Sequence, residues 1–394
     1  MKLHRSGDRR GFALLVALAA LVIIGGLIVG AFFASTQEFR IGRNTVLQAR
    51  ALTAAEYGLN SALRNGVWQE AWNGRIDTGA VLTPIGGETV DPGDGSSSVL
   101  TVTVLGGGNF LVVSEGFSGS TLGAQGRKRL GGLFRLRTPQ FNFRGAVTTN
   151  GSMMVSGTSE IHGQDESPTG WLDCPPAEAD KPGIAYNPTT PPDIKCSGCV
   201  TGSPETYADT AASNSDTYNI FGDLNYDDLA AMASPEKTFP GGTTFTNLAP
   251  AFKLDSLGKT YCDRKTGSNW GDPLLLYTTP KTVCQSYYPI IHVKGNLKLT
   301  GGAGQGILLV DGNLDASGGV NFFGPVIVKG ALSVTGNGSG ARFVGGVMAE
   351  NVYLTDSKVA GNAVVSYSSC AVTKALNGSA RPMFDATRGW IEMY

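Results

Sequence analysis

The pattern of apolar and polar positions changes rhythm along this chain, and each rhythm predicts a different element. From Phe12 to Ala34 there is neither a charge nor a proline over 23 residues. A helix of that length, at ~1.5 Å rise per residue, covers about 35 Å, enough for the hydrocarbon core of a bilayer. The apolar spacing then thins without stopping. Leu52, Ala55, Leu59 and Leu63 recur at i, i+3/i+4, while Arg50, Glu56, Asn60 and Arg64 fall on other faces. Since the first proline is Pro84, one continuous helix over 12–65 is predicted, half membrane span and half amphipathic stalk.

Period two follows. Ser98–Val104 alternates β-branched and polar residues, Gly106–Gly108 supplies a turn, and Asn109–Ser114 answers as a second strand. Arg127–Arg137 alternates again. Region 66–144 is therefore expected to form a small antiparallel sheet on the amphipathic half of the helix. The basic residues of 127–137 fall on its solvent face; they lack interleaved aromatics, which argues against a nucleic-acid partner.

The last third repeats itself. Gly295–Gly301, Gly312–Gly318, Gly330–Gly336 and Glu350–Asp356 align without gaps at spacings of 17, 18 and 20 residues. Leu297, Leu314, Leu332 and Val352 share one column, and Leu299, Ala316, Val334 and Leu354 the next. Gly151–Gly157 fits the same frame through Met153 and Val155. Such spacing describes a right-handed parallel β-helix, in which successive rungs pair at ~4.8 Å around a narrow apolar core. A first rung is expected at 145–163, a loop-rich insertion at 164–286, and the remaining rungs with a C-terminal segment at 287–394. The fold class is thus α+β: long helix, small antiparallel sheet, then β-helix with a disulfide-containing insertion. A short helix is expected at 223–233, capped by Asp223 or Asn225.

Composition sharpens this picture. The chain has 55 glycines, about twice the usual share, and a net charge of −1. Near-zero charge gives no general attraction to nucleic acid or anionic surfaces. All the cysteines (Cys174, Cys196, Cys199, Cys262, Cys284 and Cys370) follow the apolar segment, which fits a body exported to an oxidising compartment. Cys262–Cys284 is expected as one bridge and Cys174 with Cys196 or Cys199 as another, leaving Cys370 for the remaining partner or buried. The Cys196-x-x-Cys199 spacing lacks the neighbours for a redox or zinc site, since past the leader there are only His162 and His292. No metal and no cofactor is expected. Asp223, Asn225, Asp227 and Asp228 open like a calcium loop but lack its central glycine and closing glutamate.

Residues 1–11 carry Lys2, Arg5, Arg9 and Arg10 against Asp8, so this end is expected to stay cytoplasmic and the body to lie on the far side of the membrane. The junction Arg9-Arg10-Gly11-Phe12-Ala13-Leu14-Leu15 resembles the processing site of type IV prepilins. The stretch Ala54-Ala55-Glu56-Tyr57-Gly58-Leu59 is similar to that of PilX-type minor pilins. The resemblance implies a leader at 1–11, cleavage after Gly11 by a prepilin peptidase, methylation of Phe12 and packing of the helix among other pilin subunits. It also implies contact with the inner-membrane assembly platform and passage into an extracellular filament. Val16 departs from the pattern, because most pilins carry glutamate as the fifth mature residue; a rare or tip subunit, displaying its body for adhesion or assembly, suits that change.

Catalysis is not expected. Lys294, Asp311 and Lys329 occupy equivalent places in successive rungs, which describes a surface charge ladder worth a few tenths of a kcal/mol per pair. The alternative is a membrane-anchored β-helix protein that binds or degrades polysaccharide, and a host or glycan ligand is the expected partner of the body.

Overall fold

The computed structural model describes residues 10–64, 81–82, 95–106, 109–119, 125–137, 139–171, 174–254, 258, 260–274, 283–336, 338, 340–351, 357–379, 381–384 and 390–393. Two compact units emerge, one built on Met1–Asn65, Thr78–Phe134 and Phe384–Tyr394, the other chiefly on Arg135–Met383.

In the first unit a single helix spans Arg10–Arg64. Its sheet sets Val81–Leu82, Ser96–Gly106, Asn109–Gly119 and Gln125–Arg137 side by side. Val81–Leu82 and Asn109–Gly119 both run antiparallel to Ser96–Gly106, and Ile391–Met393 runs antiparallel to Gln125–Arg137. Period two is visible in the burial of Asn109–Gly119, where Phe110, Val112, Ser114 and Ser118 turn inward. The helix meets this sheet with small residues. Ala51, Ala54, Ala55 and Leu59 are buried, whereas Leu52 is half-buried and the side chain of Leu63 lies outside the described residues. Close approach is the reason. A Cβ on Gly116 would sit 2.0 Å from the Ala51 carbonyl oxygen, and Ser118 Oγ donates to the Leu47 carbonyl at 2.6 Å. Leucines at the contact would hold the two elements apart.

The second unit is a parallel β-helix with three columns of strands. Its first column stacks Thr238–Pro240, Ile290–Lys294, Ile307–Val310, the end of Leu314–Val328, Arg342–Ala349, Val147–Thr149, Ile184–Tyr186 and Thr206–Ala208, all parallel. The second column carries the repeat read from sequence. Leu297 pairs with Leu314 and Leu314 with Leu332; Leu299, Ala316 and Val334 form the adjacent row. These side chains are fully or almost fully buried, each worth about 1.5–3 kcal/mol for the larger aliphatics.

The order of rungs along the axis is not the order of the chain. The rung at 147–162 pairs with the last one, through Met348↔Thr148, Val359↔Val155 and Val365↔Ile161. From there the chain steps outward through Ile184–Tyr186, Asp193–Ile194, Val200–Thr201 and Thr206–Ala208 to one end of the coil. It returns along the outside and starts again at the other end with Thr238–Pro240 and Thr243–Phe245. Segment 164–286, expected as an irregular interruption between rungs, thus builds rungs at both ends of the coil. A second correction concerns the repeat: Val334 pairs with Val359, not with Leu354. The strand of that rung is Ser357–Gly361, and residues 352–356 lie outside the described residues.

This permuted order places the points where the chain enters and leaves the coil on adjacent rungs. The whole coil is therefore spliced between Gln125–Arg137 and Ile391–Met393, two neighbouring strands of the first sheet. Corners need glycine where backbones nearly touch. Gly324, at φ 128°, would place a Cβ 2.1 Å from the Gly306 carbonyl oxygen of the previous rung. A Cβ on Gly312 would meet Asn296 Oδ1 at 2.3 Å, an oxygen that instead accepts from the backbone of Asn313 at 2.8 Å.

Candidate functional site

The N-terminal helix presents a long run of exposed apolar side chains. Every residue from Phe12 to Ser35 is exposed, Phe12 by 74%, and further along the helix Phe39 is exposed by 75%. This is the helix long and apolar enough to cross a membrane. Apolar surface on that scale is costly in water at about 25 cal/mol per Å² and needs lipid or protein against it. Gly11 and Phe12 lie in the first turn of the helix and Val16 one turn further, 52% exposed. Of the expected leader, 1–11, residues 1–9 lie outside the described residues, as do the side chains of Arg10 and Gly11.

Two of the three residues of the expected surface ladder, Asp311 and Lys329, meet a strap. Residues 209–237, running from one end of the coil to the other, pass over the first column and bring polar groups to its Asp311 and Lys329 steps. Tyr226 Oη donates to Asp311 at 2.8 Å, and His292 Nε2 lies 3.0 Å from the same carboxylate. One rung on, Lys329 Nζ reaches Glu350 at 3.0 Å and lies over the Tyr226 ring at 4.4 Å. Ser215 Oγ completes the row by donating to Glu350 at 2.6 Å. Burial and the neighbouring carboxylate of Asp311 hold the Tyr226 hydroxyl protonated far above its usual range. Lys294 stays exposed, but Asp311 and Lys329 are not a free ladder. They fasten the strap: Lys329 and Glu350 are largely covered, where a hydrogen bond between charged groups is worth about 1.5–3 kcal/mol, and the exposed carboxylate of Asp311 contributes less because water screens it. Aligning the repeat finds Lys294, Asp311 and Lys329 but not their cover, since 209–237 has no repeat to align it.

The cysteines pair as Cys174–Cys370, Cys196–Cys199 and Cys262–Cys284. This corrects the expected bridge from Cys174 to Cys196 or Cys199. The loop carrying Cys174 lies against the helix Ser369–Ser379, which the return of the chain to its starting rung places there. Cys196 and Cys199 close a tight turn on each other. The acids at 223–228 act in structure: Asn225 caps the helix Tyr226–Met232 in a reciprocal pair with Asp228, and Asp223 meets Arg135 at 3.1 Å.

The third column, which stacks 321–323, 342–344, 364–366 and 160–162 in parallel, carries a cavity of about 170 Å³ on its outer face. Asn321 and Arg342 are paired across neighbouring rungs, as are Phe323 and Val344 and, next, Val344 and Ser366. The loop from Glu166 to Trp171 forms the opposite wall. That wall is fastened: Asp165 Oδ1 accepts from the Ser369 backbone at 2.8 Å, and Trp171 Nε1 donates to the Pro273 carbonyl at 3.2 Å. Trp171 stacks on Phe323 with centroids 5.5 Å apart. Arg342 is exposed, and among the described residues no carboxylate pairs with it. None of these residues was singled out from sequence; an arginine opposite an asparagine one rung away becomes visible only with the register.

No family model and no curated protein matches the sequence. Among solved structures, the competence-associated pilin ComZ from Thermus thermophilus aligns over 88% of this chain and 97% of its own, at 12% identity and a TM-score of 0.24.

Proposed function

We propose that this chain is a type IV pilin-like structural subunit, a minor one, made as a prepilin and carried from the inner membrane into a filament. The observation that supports this reading most is the helix Arg10–Arg64. Its first half is apolar and exposed from Phe12 onward, and its second half packs on a small sheet through Ala51, Ala55 and Leu59. A plain membrane anchor has no need of a rigid continuation of the same helix into the sheet core, or of Gly11-Phe12 at its head. In this reading the prepilin peptidase cuts after Gly11, other pilins cover the exposed half, the assembly platform lifts the subunit out of the bilayer, and the β-helix is displayed outward for adhesion or priming of assembly. Val16 in place of glutamate removes a carboxylate that would otherwise neutralise a neighbour's amino terminus inside an apolar bundle. A subunit at the tip suits that loss.

The mature amino terminus tests the reading. Mass spectrometry of the protein purified from its own cells should give Phe12 as the first residue, and Gly11→Val should leave the leader in place. An intact Met1 in the wild-type protein would make this an anchored β-helix protein outside any filament.

A further inference from the structure

We infer that the groove on the third column of the β-helix is a binding site for an acidic sugar, held by Arg342 through the sugar's carboxylate. The inference concerns the second unit alone and goes beyond the filament reading. The chemistry of the walls carries it. Arg342 is exposed at the lip of the cavity without an acid partner among the described residues. Its planar guanidinium offers two parallel N–H donors to a carboxylate. One rung away Asn321 lines the same cavity, and Ser366, Ser167 and Thr169 add hydroxyl groups. Such groups suit a ligand rich in hydroxyls. Glu166, the acid on the far wall, accepts hydrogen bonds from sugar hydroxyls and repels a second negative charge, so one carboxylate per ring is favoured over a phosphate or a dicarboxylate. The 170 Å³ volume is below the ~300–1,000 Å³ of drug-sized sites and suits one ring.

The site is built in advance. Arg342 stands on a strand paired on both sides, with Asn321 as its partner in one neighbouring rung and Val364 in the other. The facing loop is fixed through Asp165 and Trp171. The ordering that opposes binding is confined to the Arg342 side chain. Beyond Ser366 the same row continues to His162, whose Nδ1 lies 2.9 Å from the Thr201 hydroxyl.

Calorimetric titration of the full-length chain in detergent micelles with oligogalacturonate tests this. The expected result is a dissociation constant of about 0.1–1 mM, weakened by salt. Methyl-esterified oligogalacturonate, which keeps the ring and loses the charge, should bind at least tenfold more weakly. Arg342→Gln should lose the same factor while Arg342→Lys retains part of the affinity. Asn321→Leu, on the adjoining rung, should also weaken binding, and it decides the matter if Arg342→Gln fails to melt like the wild type. No measurable binding, equal binding of the esterified polymer, or an affinity untouched by folded Arg342→Gln would overturn the site. Displacement of the oligomer by an equal concentration of acetate would overturn the assignment to a sugar.

Discussion

Single residues set the pH behaviour of this molecule, and Lys237 is the clearest case. Its side chain is fully buried, donating to the carbonyls of Arg264 at 3.1 Å and Thr266 at 2.7 Å and facing the Tyr287 ring at 5.8 Å. Burial pushes its ammonium down from 10.5 to about 8. Between those values the unfolded chain holds a proton that the folded one releases, so stability should rise with pH across that window. Tyr218, Tyr226, Tyr288 and Tyr367 work in the opposite sense. Burial raises each above the usual value of 10, so above pH 10 the unfolded chain loses protons that the folded chain keeps, and stability should fall. Melting temperatures measured from pH 7 to 11 should therefore climb and then drop. In Lys237→Met the climb should flatten while the drop persists. An unchanged slope between pH 8 and 10 in that variant would refute the assignment. The lysine itself carries no signal in the sequence. Its burial arises because the coil folds the segments 264–266 and 287 around it.

At the scale of elements, the disulfides divide by the length of chain they close. Cys174–Cys370 spans 196 residues, Cys262–Cys284 spans 22 and Cys196–Cys199 spans 3. The chain-entropy relation gives about 5, 3 and 2 kcal/mol respectively. Paired serine substitutions should lower the melting temperature in that order, the Cys174/Cys370 pair most, as calorimetry on the full chain would show. An equal loss for all three pairs would mean that local strain outweighs chain entropy here. The helix and the repeat were legible in sequence because their periods, 3.6 in one case and a rung length in the other, follow from local geometry. Two element-level readings were not. The helix face buries Ala51 and Ala54 rather than Leu52, because a glycine-bearing sheet lets the backbones close up. Cys174 pairs with Cys370 because the first and last rungs stack, a fact that no local spacing records.

For the molecule as a whole, the permuted coil has a consequence for folding. The rung at 147–162 is made early in the chain, yet it pairs with 347–367, about two hundred residues later. Pairings of such high sequence separation form late, since loop closure precedes any gain from contact. In pulse-labelling hydrogen exchange during refolding, the amides of 147–162 should gain protection no earlier than those of 347–367. Early protection of the first rung alone would show that it folds with 184–201 as an independent pair. The same arrangement accounts for the connection to the rest of the protein. Because the chain enters and leaves the coil on adjacent rungs, the coil is one continuous insertion in the chain between Gln125–Arg137 and Ile391–Met393, strands that pair with each other. The sequence by itself determined the long apolar helix with Gly11-Phe12 at its head, the small sheet and the leucine columns of the coil, because each rests on periodicities read over a few residues. Tertiary structure alone decided the order of rungs, the strap over Asp311 and Lys329, and the groove at Arg342. These depend on which distant backbones hydrogen-bond to one another, and in a parallel stack any rung of suitable shape can follow any other.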